Sequence, residues 1–446
     1  MITRAKMFVP FSVQQRKVLT WWTDKSPHKD KDGIIAEGSV RSGKTMPMTL
    51  SFVFWSLKTH HDQNFIVGGK SMGALKRNVI KPLISMMAAL KVPVKYHRST
   101  DDPHLIIGTN TYYLFGGNNE ASQDVIQGLT AAGSLLDEIA LMPENFVEQV
   151  LARCSVDNSR HFWNCNPENP RHFIKTEFID KAEEKRFLVL HFTMDDNPSL
   201  SRRAKDRFKR LFTGLFFKRF ILGLWCLAEG AIYDMFDEGK HVIPANRQAE
   251  ILKNVVIIWT ATDYGTGTVL CHGLFGMDRQ GIVYLLRTSW WDAKERGRQK
   301  TDTEYAEDLK RLVSDGQAAQ LAATHNKPLS VTCHVIPDDA LSFIAQCRKT
   351  PGLGMIRIYK REPGTVLQGI RHQANLLAQG KYFLFAARGN EHVISEYASY
   401  VWDPKAQERG EDAPLKQHDH GKDMERYSLM AMAESPAGRT RKPAGY

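Results

Sequence analysis

The sequence predicts an α/β protein built as two successive sheet-based domains, and three observations carry that prediction. The 446 residues exceed what one hydrophobic core organises, because single cores stop growing at roughly 250–300 residues. An apolar run enters a glycine-rich loop near Gly38 and an apolar helical pattern leaves it, which is the strand–loop–helix order of a parallel sheet. After Gly230 the pattern changes to strand-length apolar runs that end in aspartates.

Composition narrows the class. Hydrophobic residues at 42% and charged residues at 24% exclude a disordered or fibrous chain. No stretch approaches the ~18 apolar residues of a membrane span, and Met1 to Pro10 lacks a signal-peptide core, so the chain is expected to remain in the cytoplasm. Sixty Lys and Arg against 49 Asp and Glu give a net charge of +11, which favours a polyanionic partner, nucleic acid ahead of anionic membrane. The six cysteines form no C-x-x-C pair and read as reduced, buried thiols. Only Ser435 to Tyr446 has the Pro, Gly and basic character of a mobile tail.

Taken in order, Phe11 to Leu19 offers Gln15 to read an adenine edge, with an ordinary helix-surface glutamine as the alternative. Gly33 to Glu37 is the first buried strand. Gly38-Ser39-Val40-Arg41-Ser42-Gly43-Lys44-Thr45 then fits G-x-x-x-x-G-K-[ST], in which backbone N–H groups wrap phosphates, Lys44 reaches the β/γ oxygens and Thr45 binds Mg²⁺. Met46 to Leu57 is the helix that leaves the loop, with Pro47 tolerated in its first turn.

A nucleoside-triphosphate hydrolase of this type also needs acids at a neighbouring strand end. Leu135-Leu136-Asp137-Glu138 supplies them, Asp137 for the metal and Glu138 as the base that activates water. Phe162 to Pro167 places Asn166 as a γ-phosphate sensor, or as the plain turn that Asn-Pro often marks. Ser201 to Phe220 carries eight basic residues, one acid and five phenylalanines. It reads as one amphipathic helix with a phenylalanine face in the core and a basic face that is solvated or meets phosphates.

Beyond Gly230, Val255 to Thr262, Val269 to Met277 and Ile282 to Trp290 form an antiparallel meander whose first strand ends at Asp263. A helix over Asp302 to Leu312 precedes the strand Leu329 to Ile336, which ends at Asp338-Asp339. An amphipathic helix from about His420 to Met432 brings His420 and Asp423 to one face, with Asp419 as its cap. Acids at two strand ends and on a late helix make the carboxylate cluster of a ribonuclease H-like fold, suited to two Mg²⁺ or Mn²⁺ ions.

These motifs, with FSVQQRKVL, the stretch from Gly116 to Glu138, NCNP, and Arg219 to Phe236, follow one order along nearly the whole chain. In that order the chain resembles the large terminase subunit of tailed double-stranded DNA bacteriophages. The resemblance implies a P-loop ATPase domain over 1–228 with a linker or lid at about 195–228, a nuclease domain over 229–434, and a basic tail. It implies ATP with Mg²⁺ at the first site, two Mg²⁺ or Mn²⁺ at the second, and an ATP-driven motor that packages double-stranded DNA and cuts concatemers. The implied partners are a portal protein, a small terminase subunit and further copies in a five-membered ring. The implied setting is the host cytoplasm, docked on the procapsid but absent from the mature virion. It matches Asp263, Asp423 and His420 as metal ligands, with Asp338 or Asp339 as a further one.

Two departures concern the arginine finger. Many relatives carry it one position before Arg41, and some carry an arginine where this chain has Gln127. Arg41 in cis is the first candidate, with Arg153 and Arg160 as candidates acting on a neighbouring subunit. A helicase-nuclease of DNA repair or recombination and a non-enzymatic DNA-binding scaffold are the competing functions.

Overall fold

The structure, a computed structural model, describes residues 10–117, 126, 128–265, 267–326, 328–362 and 364–433; the tail expected at 435–446 and Gln127 lie outside them. The chain divides into two compact units. The first comprises Met1–Lys209, Leu215–Leu227 and Gln407–Glu411, and the second Arg210–Gly214, Ala228–Ala406 and Asp412–Tyr446.

The first unit holds β1 (Gly33–Gly38), β2 (Asn64–Gly69), β3 (Val94–His97), β4 (His104–Ile107), β5 (Asn110–Gly116), β6 (Gly133–Asp137), β7 (Arg160–Cys165) and β8 (Phe187–Phe192). They form one sheet in the order β3-β4-β5-β2-β6-β7-β1-β8. Pairing is parallel from β5 to β8 and antiparallel where β3 and β4 close the edge. Every residue of β1 and β6 is buried, as expected of strands covered on both faces. Ile34 and Ala36 point into one core with Phe52, Trp55 and Phe162, while Ile35 points into the other with Leu136 and Trp163. The helix that leaves the loop runs Thr45–Thr59, and Pro47 lies in its first turn, where no intrahelical N–H is lost.

The segment 201–220 is not the single amphipathic helix that its composition predicts. Helix Arg202–Leu211 buries no residue. At Gly214 the backbone turns to φ +51°, and Phe217–Ile221 resumes as a π-helical turn that buries Phe220 and Arg219. Arg219 is therefore not part of a basic surface, because its guanidinium pairs with Glu168 at 3.3 Å and donates to the Cys226 carbonyl at 2.6 Å.

The second unit holds β9 (Val242–Ile243), β10 (Val255–Asp263), β11 (Val269–Asp278), β12 (Val283–Asp292), β13 (Val331–Pro337), β14 (Ile356–Tyr359) and β15 (Tyr382–Phe385). Their order is β14-β13-β10-β11-β12-β15-β9. The β10–β11–β12 meander is antiparallel, and β13 pairs parallel with β10, so both carry their aspartates to the same sheet edge.

Two helices depart from expectation. The helix predicted over Asp302 to Leu312 continues to Thr324 through Ser314-Asp315-Gly316, a turn-like sequence, because Leu312, Gly316 and Gln320 are buried and packing overrides local preference. Helix His420–Ala433 is buried nearly all round rather than on one face. Trp259 of β10 donates to Ser428 at 2.8 Å and ties it to the sheet. Its buried charges are paired: Lys422 donates to Glu425 at 2.6 Å, which also accepts from Tyr382 at 2.6 Å and Tyr397 at 2.9 Å.

Candidate active sites

The first site forms where β7 lies between β1 and β6. Register pairs Glu37 with Cys165 and Asp137 with Asn164, so the loop after β1 and the acids after β6 open on one edge. The loop needs its glycines. Gly38 has φ +129°, and a Cβ there would lie 2.0 Å from the Phe192 carbonyl oxygen; Gly43 has φ +82°, and a Cβ would meet the Gln15 amide at 2.7 Å. The N–H groups of Ser39 and Val40 donate to the carbonyls of Phe192 and Phe220, both at 2.8 Å, so the backbone already engages both.

Lys44 is buried, and its Nζ donates to the carbonyls of Gly38 at 3.0 Å and Ser39 at 2.7 Å, to Ser42 Oγ at 3.1 Å and to Asn166 Oδ1 at 3.1 Å. Burial lowers its pKa to about 8, although the charges of Glu37 and Asp137 oppose that shift. Thr45 Oγ1 donates to Asp137 Oδ1 at 3.1 Å, and Asn164 donates to the same oxygen at 2.9 Å. Burial raises the Asp137 pKa in spite of both bonds. Glu138 turns the chain out of β6 in the left-handed region, φ 60° and ψ 48°. A non-glycine residue there stores backbone strain of about 1–3 kcal/mol.

A cleft of about 510 Å³ lies above these groups, lined by Val40 to Met46, Asn78, Asp137, Glu138, Asn164, Asn166 and Asn197. Arg41 is exposed in it, with its guanidinium 5.7 Å from the Phe208 ring centre. Gln15 is engaged by the loop and its own helix, donating to the Gly43 carbonyl at 3.1 Å and accepting from Ser12 N–H at 3.1 Å. Arg153 and Arg160 stand at the opposite sheet edge. The Arg153 carbonyl accepts from Ala131 ahead of β6, and Arg160 opens β7 with its guanidinium over Trp21 at 5.1 Å.

The second site lies at the carboxyl edge of β10 and β13. His420 Nδ1 is 2.9 Å from Asp263 Oδ2. Burial, with Asp423 and Asp419 nearby, pushes the Asp263 carboxyl up to about 6 against the contact from His420. Burial opposes a charged His420, but its bond to Asp263 raises the imidazole pKa on balance. Asp423 accepts from Arg426 at 2.6 Å and from Tyr427 at 3.3 Å. Lys416 stands 3.3 Å from Asp419 and 3.6 Å from Asp423. The Asp419 carbonyl takes the first helical bond, from Asp423 N–H at 2.8 Å, so Asp419 occupies the cap position. Asp338 and Asp339 share Arg361, whose Nε is 3.5 Å from Asp338 and whose terminal nitrogen pairs with Asp339.

Among the described residues, no three His, Cys, Asp or Glu side chains already surround one point as a metal centre. The donor chemistry nonetheless fits a hard divalent ion. Asp263 and Asp423 offer carboxylate oxygens and His420 a nitrogen, and Lys416, Arg426 and Arg361 supply positive charge to the acids of this edge.

The family described as terminase large subunit, T4likevirus-type, N-terminal, matches residues 35–240. The large terminase of a thermophilic bacteriophage is 44% identical and superposes with a TM-score of 0.84, over 94% of this chain and 98% of that one. This chain belongs to the large terminase family. The same thermophilic phage's terminase in complex with ADP matches at 43% identity and a TM-score of 0.83 over 96% of this chain and 100% of that one. In complex with ATP-gamma-S it matches at 43% and 0.81, over 94% and 98%. No curated protein gives a significant match.

The terminase thus has the α/β class its sequence predicts, with a mainly parallel sheet in the first unit and a mixed sheet in the second. Among the described residues, no helix of this terminase is long and apolar enough to cross a membrane. Two residues around the loop, Asn197 in the cleft and Glu37 outside its lining, escape motif reading. Asn197 donates to the Arg41 carbonyl at 2.7 Å, and its one sequence signal is the Asn-Pro pair it shares with Asn166. Glu37 accepts from His191 at 2.6 Å and Trp225 at 3.2 Å, and nothing in the local sequence marks it.

Proposed function

We propose that this terminase is an ATP-driven motor that moves viral double-stranded DNA into a procapsid, and that it cuts concatemeric DNA at its second site. The observation that carries the proposal is that one chain bears two acidic sites, each at the carboxyl edge of its own sheet. One stands beside a phosphate loop and the other has none. The nucleotide complexes of the thermophilic-phage relative support a nucleotide at the first.

In this reading residues 1–228 form the ATPase domain with its lid and 229–434 the nuclease domain. Gly38 to Thr45 cradle the triphosphate, and Lys44 transfers its donors from the Gly38 and Ser39 carbonyls to the β/γ oxygens. Thr45 and Asp137, already hydrogen-bonded, hold Mg²⁺. Glu138 orients the attacking water, Asn166 reports the γ-phosphate through its bond to Lys44, Gln15 steadies the loop, and Arg41 is the finger in cis.

At the nuclease site Asp263, Asp423 and His420 hold divalent ions, Mg²⁺ or Mn²⁺, with Asp338 or Asp339 completing the set. When bound, such a pair of ions activates water and stabilises the leaving oxygen of a phosphodiester. His420 keeps Asp263 oriented, and Arg426 and Tyr427 fix Asp423.

The motor works as a five-membered ring on a portal protein, receives DNA through a small terminase subunit, and acts in the host cytoplasm. A packaging assay tests this. ATP turnover should rise when portal-bearing procapsids and DNA are added, and DNA should become protected from added nuclease. Turnover indifferent to procapsids, with no DNA protected, removes the motor reading and favours a helicase-nuclease.

A further inference from the structure

Strand register extends the second site sideways. Asp263 pairs with Cys271 and Cys271 with Trp290, so the three side chains stand in one row on one sheet face. Trp290 lies two strand spacings, ~10 Å, from Asp263. On this face Cys271 is fully buried and helix His420–Ala433 covers the row near Trp259, but Trp290 remains half-buried. Its ring stacks on the exposed His392 at 4.9 Å and 11°, and meets His420 at 6.5 Å, close to perpendicular at 77°. Four other tryptophans, Trp21, Trp55, Trp163 and Trp259, are fully buried. A large ring left open beside a ligand cluster is costly to hydrate unless a partner covers it. Past Trp290 the chain passes into a loop with exposed Lys294 and Arg296, at the same sheet edge because β12 runs in the direction of β10. Glu295 is the exposed acid between them.

We propose that Trp290, propped by His392, is a positioning residue for DNA. Its ring packs against the deoxyribose of the nucleotide flanking the scissile phosphate, and Lys294 and Arg296 take the next phosphates. The proposal rests on the nuclease reading of Asp263, His420 and Asp423. An aromatic wall suits a non-specific nuclease contact, because every nucleotide presents the same sugar face while the bases differ.

The test is steady-state cleavage of duplex DNA by the full-length protein, with the calorimetric transition of the second unit as the folding control. Trp290→Ala should raise KM for DNA about fivefold or more while kcat stays within about twofold, and Trp290→Phe should restore most of the affinity. His392→Ala, at an exposed position, should raise KM by a smaller factor of about two. Affinity for a short duplex without divalent metal, read by fluorescence anisotropy, should fall in parallel for Trp290→Ala. Wild-type KM in both Trp290→Ala and His392→Ala, or a loss confined to kcat, overturns the proposal. Asp263→Ala run alongside separates the two failures. If it is dead while Trp290→Ala binds normally, only the aromatic wall is wrong; if it cuts like wild type, the nuclease reading falls and takes this proposal with it.

Discussion

The two sheet edges handle charge in opposite ways. At the first, the chain sets its own buried cation beside the acids: Lys44 is held among backbone carbonyls, and left-handed turns at Gly38, Gly43 and the strained Glu138 fix the shape around it. At the second, the chain supplies the anions, and flexible cations stand on them, Lys416 near Asp423 and Arg361 across Asp338 and Asp339. A backbone-built site is shaped before its ligand arrives. In the proposed nuclease reading a side-chain-built site exchanges its own cations for incoming ions, so it should be more sensitive to removal of any one member.

The largest effects break the comparison outright. Lys44→Ala and Glu138→Gln should each reduce ATP turnover below about a hundredth of wild type while plasmid cleavage survives. Glu138→Gln should still retain bound ATP, because it removes the water-orienting group and not a phosphate contact. Asp263→Ala and Asp423→Ala should do the reverse, abolishing cleavage in Mg²⁺ or Mn²⁺ and sparing turnover. Cross-inhibition, in which one substitution silences both reactions, would show that the edges are not chemically independent. Asp338→Ala against Asp339→Ala sharpens the second edge, since the true ligand should lose cleavage and its neighbour should not.

The same contrast explains what the sequence reveals. The phosphate loop is eight contiguous residues between an apolar strand and an apolar helix, so order along the chain almost equals order in space. The roles of Asn164 and Asn197 depend on β7 lying between β1 and β6 and on the turn after β8, and lateral strand order is not written locally. The acidic edge is legible because strands β10 and β13 end in aspartates. Its cations are not: Lys416, Arg361 and Arg426 look like ordinary surface charges until the fold brings them to the acids, Arg426 buried and the other two still exposed. Strands β2 to β5 carry no motif and escape a chemistry-led reading. The break at Gly214 escapes it because the surrounding residues favour a helix and a single glycine is a weak signal.

A smaller effect probes what lies beneath the second edge. Lys422→Met removes one partner of a fully buried pair and leaves Glu425 charged among Tyr382, Tyr397 and Gln373. It should lower the stability of the second unit by about 3–5 kcal/mol, seen as an earlier calorimetric transition. Adding Glu425→Gln should recover part of that loss. An unchanged transition would mean that water reaches the pair. At the first edge Asn197→Ala removes one bond to the Arg41 carbonyl, so KM for ATP should rise about fivefold, on the scale of a single hydrogen bond.

The smallest effect concerns the helix Arg202–Leu211, which belongs to neither acidic edge. It buries nothing, so its basic side chains are not held in place by packing, and Lys205 already pairs with Asp195 at 2.8 Å. If Arg202, Arg203, Lys205, Arg207, Lys209 and Arg210 meet DNA phosphates, neutralising several should weaken binding equally across sequences. It should also flatten the salt dependence by about one unit of slope per lost contact, because each contact releases counterions. The melting temperature should hardly move, since exposed charges contribute little to stability. An unchanged salt slope would assign this helix to solvent and move the search for a DNA path to the second unit, where the proposal for Trp290, Lys294 and Arg296 places one.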